Sequence, residues 1–158
     1  MGSEFAQQTE WAESRSLDWH ALNDPAHQGV MRSVTDLNRV YRETPALWQL
    51  DHSPDGFEWI DSDDAFRNTL AYLRKGVGVP LVAVVVNFAG VPHEEYRLAL
   101  PKSGTWREIY NSDSVAYGGS GVGNLGEIHA EDIEHYGRPA SASIRVPPLG
   151  IVVFEATS

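Results

Sequence analysis

Hydrophobic positions follow two different periods along the chain, and the change falls near residue 50. Val30, Val34, Leu37 and Tyr41 recur at steps of four, three and four, one face of a 3.6-residue period, with Met31 and Val40 beside it. Arg32, Asp36, Arg39 and Glu43 take the more polar faces. Asp24 followed by Pro25 supplies an N-cap side chain and a proline at the first helical position. Pro45 restricts the residue before it and cannot continue the hydrogen bonding. The spacing therefore predicts a helix over 25–43, ending near Thr44. One amphipathic helix cannot make its own core, so it must pack on the rest of the chain or on something outside it. The stretch before it is loop-like and carries Trp11 and Trp19.

Beyond residue 50 the period becomes two. After the turn signal Ser53-Pro54-Asp55-Gly56, Phe57 and Trp59, with Asp61 beyond them, mark a short strand. A second strand is read over 66–74. The run from Pro80 to Phe88 contains Leu81-Val82-Ala83-Val84-Val85-Val86, which predicts a central strand buried on both sides. Residues 95–100, 105–110 and 141–146 alternate as half-buried strands, and 149–154 closes the series. Seven short strands with Gly, Pro, Asn and Asp between them predict an antiparallel sandwich. Long helical crossovers are missing between them, which argues against a doubly wound parallel sheet.

Length and composition narrow this further. At 158 residues the chain is too short for a complete eight-stranded α/β barrel, which needs roughly 250. The formal charge of -10 makes it a poor general binder of nucleic acid or anionic membranes, and leaves a neutral partner such as a sugar polymer open. There is no cysteine, so disulfides and thiolate-held metals are excluded. No stretch reaches about 18 apolar residues, and the N-terminus lacks a basic region followed by an apolar run, so neither a membrane helix nor a signal peptide is expected.

Most candidate motifs reduce to structural readings. Gly121-Val122-Gly123-Asn124-Leu125-Gly126 has the glycine spacing of a dinucleotide fingerprint, but it lies between antiparallel strands without the required strand before and helix after. It is read as a turned surface loop. Asp61, Asp63 and Asp64 lack the further ligands of a calcium loop and read as a solvated turn bonding local amides. The six histidines show no metal-ligand spacing, and no metal or cofactor is expected. Glu10 with Glu13, and Glu131 with Glu134, have no claim to the carboxyl spacing of about 5 Å that a retaining glycosidase needs. The N-terminal segment is more suggestive. Glu4, Phe5, Gln7, Trp11 and Trp19 precede any patterned element. Aromatics placed this way either cover a core or offer platforms on which the C–H faces of sugar rings can stack.

A family likeness is carried by many ordered blocks. They include Met1-Gly2-Ser3-Glu4-Phe5-Ala6-Gln7, Glu10-Trp11, Arg15-Ser16-Leu17-Asp18-Trp19 and Val34 to Tyr41. Further on come Gly56 to Asp61, Val86-Asn87-Phe88, Tyr96-Arg97, Tyr117 to Asn124 and Pro147-Pro148-Leu149. These blocks resemble the end of the bacterial 1,4-alpha-glucan (glycogen) branching enzymes, in the alpha-amylase-like group. The resemblance covers nearly the whole chain. Continuity through Gln7, Glu10 and Trp11 marks Gly2-Ser3-Glu4-Phe5 as family sequence rather than a vector scar.

The resemblance implies a mainly β fold: an antiparallel β-sandwich C-terminal domain preceded by the last strand-end and helix of a (β/α)8 barrel. By similarity, residues 1–50 are the remnant of the catalytic barrel, with its final strand end, a loop and the helix over 25–43. Residues 51–158 are the C-terminal sandwich. It implies transfer of a cleaved alpha-1,4-glucan segment to a 6-hydroxyl by a retaining mechanism, in a cytoplasmic glycosyltransferase of glycogen biosynthesis. The family's catalytic carboxylates sit on earlier barrel strands and their motifs are missing from this sequence, so no residue here is given a catalytic role. Glu4, Phe5, Trp11 and Trp19 are the candidates for substrate contact, because loops at the C-terminal ends of barrel strands build such sites. The implied partners are a neutral alpha-glucan and the missing barrel. A non-catalytic carbohydrate-binding or structural β-sandwich domain is the alternative. Ala6 stands where many family members carry Gly.

Overall fold

The computed structural model describes residues 1–157. Helix α1 (Pro25–Glu43) is followed by β1 (Phe57–Asp64), β2 (Thr69–Arg74), β3 (Val82–Asn87), β4 (His93–Leu100), β5 (Gly104–Asn111), β6 (Glu127–Ala130), β7 (Ala140–Val146) and β8 (Gly150–Ala156). Six strands form one sheet in the order β1-β2-β3-β8-β5-β6, and β4 pairs with β7 in a second. Every strand pairing is antiparallel. The fold is therefore a mainly β, antiparallel sandwich with one preceding helix.

The valine-rich run is central as its composition demands. In β3, Ala83 and Val85 join the core between the two sheets, with Leu98, Trp106, Ile144 and Phe154. Val82 and Val84 point the other way, into a second cluster with Val40, Ala46 and Tyr110 under the helix. Trp106 and Phe154 are fully buried, and the Trp106 indole donates to the Lys102 carbonyl at 3.4 Å. Asn87, at the end of β3, is buried but has partners for its whole amide. Its Nδ2 donates to the carbonyls of Val91 (2.8 Å) and Pro147 (2.9 Å), and its Oδ1 accepts from the Ala89 amide.

Two strand readings shift. The strand read over 66–74 begins at Thr69, because Phe66 lies in the turn and is 97% exposed. An eighth strand, β6, is added where the sequence is too short and mixed to show a period; only Ile128 and Ala130 face inward. Strand β1 runs on to Asp64 through two register shifts against β2. Asp61 and Asp64 bond local amides, those of Asp63 and Arg67, but they belong to the strand rather than to a solvated turn, and the Asp64 side chain is only 6% exposed. Bulges and charges of this kind protect the free edge of a sheet.

The helix occupies the expected residues. The Asp24 carboxylate accepts from the Ala26 amide at 2.8 Å, and the last bond runs from the Thr44 amide to the Val40 carbonyl. Its seated face is rotated by one residue from the apolar stripe. Gly29 and Val40 are buried, with Ser33 and Asp36 between them, whereas Met31, Leu37 and Tyr41 stay exposed. The reason is a polar seam. Ser33 shares a hydrogen bond of 2.6 Å with the Tyr110 hydroxyl, and the Tyr117 hydroxyl donates to Asp36 at 2.9 Å.

Replacing Phe154 by Ala removes a side chain that both sheets enclose. Urea denaturation of the variant is expected to show a loss of about 3–5 kcal/mol, the range for emptying an aromatic site in a packed core.

Candidate functional site

Residues 1–24 fold into a small rim beside the helix. A 3-10 turn spans Ser3–Phe5, and a second spans Trp19–Asn23. Phe5 is 2% exposed and stacks under Trp19, with ring centroids 5.3 Å apart and planes at 29°. Trp19 is 56% exposed, so one of its faces is covered by Phe5 and the other is available. His27 Nδ1 donates to the Phe5 carbonyl at 2.7 Å; since a carbonyl only accepts, the proton sits on Nδ1. Gln7 staples the rim, accepting from the Asp18 amide and donating to the Thr9 carbonyl, both at 2.8 Å. The Thr9 hydroxyl closes the loop onto the Asp18 carboxylate.

Of the four candidates, Phe5 and Trp19 are brought together. Glu4 is exposed and turns back onto the Gly2 amide at 3.1 Å, and Trp11 stands exposed on its own part of the loop. Ala6 has φ 54, the left-handed region in which glycine costs least.

Next to Trp19 lies an open hollow of about 650 Å³ whose lining includes Thr9, Asp18, His20, Asn23, Asp24 and His27. Carboxylates, an amide and imidazoles line it, a polar wall that offers both donors and acceptors. The sequence offers His20 and His27 only as metal-ligand candidates without ligand spacing, and their place on this hollow is not legible there. They stand either side of the Asp24 cap, which the fold turns toward the rim.

A second aromatic surface lies at the β1 edge of the large sheet. Phe57 and Trp59 meet edge to face at 4.8 Å, Phe57 stacks on Tyr72 at 5.2 Å, and Trp59 meets Tyr72 at 6.0 Å. Trp59 is 48% exposed. The pairing of Trp59 with Tyr72 across β1 and β2 assembles the group. Arg138 reaches over from the β6–β7 connection to the Trp59 carbonyl (3.0 Å) and to Glu58. The hydrogen bonds of Lys75 and then Arg138 hold the Glu58 carboxyl below its ordinary value.

The glycine-rich segment leads into strand β6, with no helix after it. Several of its amides are already used. Asp113 accepts from the Ser120 hydroxyl (2.6 Å) and from the amides of Ser120 and Val122 (2.9 Å each), and its own carbonyl takes the Gly121 amide. Burial would raise the Asp113 carboxyl, but the Ser120 hydroxyl and these amides outweigh it and hold it low. Asn111 donates to the Val122 carbonyl, and Glu108 accepts from the Asn124 amide and side chain. The Asp113 carboxylate therefore occupies the amides of Ser120 and Val122, which an incoming anion would otherwise meet.

Residues 59–157 match the family described as alpha amylase, C-terminal all-beta domain. The chain belongs to that family. Along nearly its whole length it is also homologous to branching enzymes of the alpha-amylase group. It is 53% identical over 156 residues to the 1,4-alpha-glucan branching enzyme GlgB of Leifsonia xyli subsp. xyli, covering 98% of this chain and 21% of that protein. It is 51% identical over 156 residues to GlgB of Nocardia farcinica, covering 99% and 21%. The chain thus spans about a fifth of the length of these curated relatives. Among solved structures, the Group B Streptococcus pullulanase SAP superposes with a TM-score of 0.53 at 15% identity, over 89% of this chain and 18% of that one. At that identity the likeness concerns the fold alone. Among the described residues no helix is long and apolar enough to cross a membrane.

The lowered carboxyls make stability fall in acid. The Tyr117 and then the Arg39 hydrogen bonds depress Asp36, as the contacts above depress Glu58 and Asp113. A group with a depressed folded value contributes fully above its unfolded value, 3.8 for Asp, and loses that contribution as pH falls through the folded value. Asp113→Asn is expected to lower stability by about 1–3 kcal/mol at neutral pH, because an amide donates where the loop needs acceptors. It also flattens the acid side of the profile. Urea midpoints from pH 7 down to pH 2.5 measure both effects.

Proposed function

We propose that this chain serves as the C-terminal portion of a 1,4-alpha-glucan branching enzyme. In this reading residues 1–50 complete the catalytic (β/α)8 barrel and residues 51–158 form its C-terminal β-sandwich. The supporting observation is the continuous identity, 53% over 156 residues, that runs through both segments of the chain. The segment 1–5 is then the end of the eighth barrel strand, 7–19 the loop after it, and α1 the eighth barrel helix. The exposed Met31, Leu37 and Tyr41 give that helix an apolar face for the barrel to cover. The setting is cytoplasmic glycogen synthesis.

The parent reaction is cleavage of an alpha-1,4-glucan followed by transfer to a 6-hydroxyl. A carboxylate nucleophile takes the sugar while an acid protonates the leaving oxygen; a sugar hydroxyl then attacks, with the same group as base. Those carboxylates belong to earlier barrel strands, so this chain supplies substrate contact alone. Trp19 and Trp11 offer exposed faces for sugar rings, Phe5 backs Trp19, and Glu4 with the polar hollow beside Trp19 receives hydroxyls.

A second reading, glucan binding by the sandwich itself, is favoured by one observation: the half-exposed Trp59 supported by Phe57 and Tyr72. The two readings separate by mutation. Incubated with amylose, the 158-residue chain is expected to leave the iodine complex unchanged; new alpha-1,6 linkages would overturn the assignment of the chemistry to missing residues. Titration with maltoheptaose, followed by tryptophan fluorescence, is expected to weaken about 3- to 10-fold in Trp19→Ala if the rim binds, or in Trp59→Ala if the sandwich does. Binding by neither surface would sink both assignments of sugar contact.

A further inference from the structure

The rim and the sandwich meet through α1. The helix touches the turns Ser3–Phe5 and Trp19–Asn23 on one side, and β5 with the 3-10 turn Val115–Tyr117 on the other. The two attachments lie close along the helix. His27, which holds the Phe5 carbonyl, is two residues from Gly29, about 3 Å along the axis. Gly29 lies so near the Tyr117 carbonyl oxygen that a Cβ would collide with it. Arg32 donates to the Ala116 carbonyl at 3.0 Å. Ser33 and Asp36, one turn apart, meet the hydroxyls of Tyr110 and Tyr117. Those two rings stack on each other at 5.9 Å. The turn bearing Tyr117 is itself pinned by the Asp113 cage, since the Gly119 amide bonds the Ser114 carbonyl and Ser120 to Val122 close on Asp113.

An apolar contact lets a helix slide or roll by a fraction of a turn. A close backbone approach combined with three hydrogen bonds on separate residues fixes both height and rotation. We propose that this seam is a positioning device: Tyr117 and Tyr110, acting on Gly29, Ser33 and Asp36, set the stance of α1 and thereby of Phe5 and Trp19 through His27. The residues of the seam are positioning residues and touch no substrate. The inference depends on the functional reading above only for what the rim holds.

The test uses the whole 158-residue chain, labelled for amide exchange and for ring contacts between Phe5 and Trp19 by NMR. Gly29→Ala and Tyr117→Phe are each expected to weaken the Phe5–Trp19 contacts and to speed exchange of the amides of Gln7 and Ala21 about fivefold, with the β3 and β8 amides unchanged. His27→Gln is expected to loosen the same rim amides while leaving the seam amides of residues 113–121 as they were. If Gly29→Ala fails to fold, Tyr117→Phe carries the test alone, because it removes one hydroxyl and no volume. Changes confined to residues 29–43 and 113–121, with the rim as in the parent chain, would overturn the proposal. Maltoheptaose titration of the same variants separates the two ideas. Weaker binding in step with rim loosening supports both; a parent chain that ignores maltoheptaose, with the rim still loosened, removes the sugar reading and leaves the positioning device standing.

Discussion

The architecture depends on the pairing of β3 with β8, a ladder with almost no side turned to water. Val85 pairs with Val152 and Val84 with Val153, so one set of side chains enters the core between the sheets and the alternate set enters the cluster beneath the helix. At about 25 cal/mol per Å² of apolar surface removed from water, a ladder buried on both faces contributes more per residue than any edge strand can. Its position forces the remainder into place. β2 and β5 flank it, the β4–β7 pair closes one face, and α1 with the Pro45–Leu47 turn closes the other. A one-residue slip in this ladder would exchange the two clusters, which differ in size and polarity, so the register is strongly specified.

That logic explains which parts of the fold were legible. Long, strongly patterned segments announced themselves: the run from Leu81 to Val86, and the helix bounded by Asp24-Pro25 and Pro45. β6 did not, because four residues give two inward positions and no period. The orientation of α1 was also hidden. Periodicity reports where apolar side chains gather, and here the seated face is a mixed one, chosen by a glycine and by two tyrosines more than seventy residues away. Hydrogen-bond partners at that separation leave no local trace in a sequence.

The site divides in the same way. Trp19 and Phe5 stood out as aromatics ahead of any regular element, and they do stack. Their supports, His27, Gln7 and Asp18, are ordinary polar residues whose role appears only once the turns are drawn. Phe57 and Trp59 were visible as one face of a strand, but Tyr72 completes that surface from the neighbouring strand. A surface shared between two strands is assembled by register, and register is a property of the sheet rather than of either segment. Ala6 shows the opposite case: a residue that sequence reading could only mark as a departure gains a plain cost from a positive φ.

The glycine-rich loop after β5 carries a wider lesson. The amides of Ser120 and Val122 converge on a carboxylate that is covalently part of the same chain, nine residues or fewer from each of them. A tethered ligand is always present at an effective concentration far above that of any free anion in solution. These two amides are occupied as soon as the loop folds. At Ser120 and Val122 a free anion could enter only by displacing a resident that never diffuses away, so this part of a glycine-rich segment that looks receptive in the sequence is already occupied in the folded molecule.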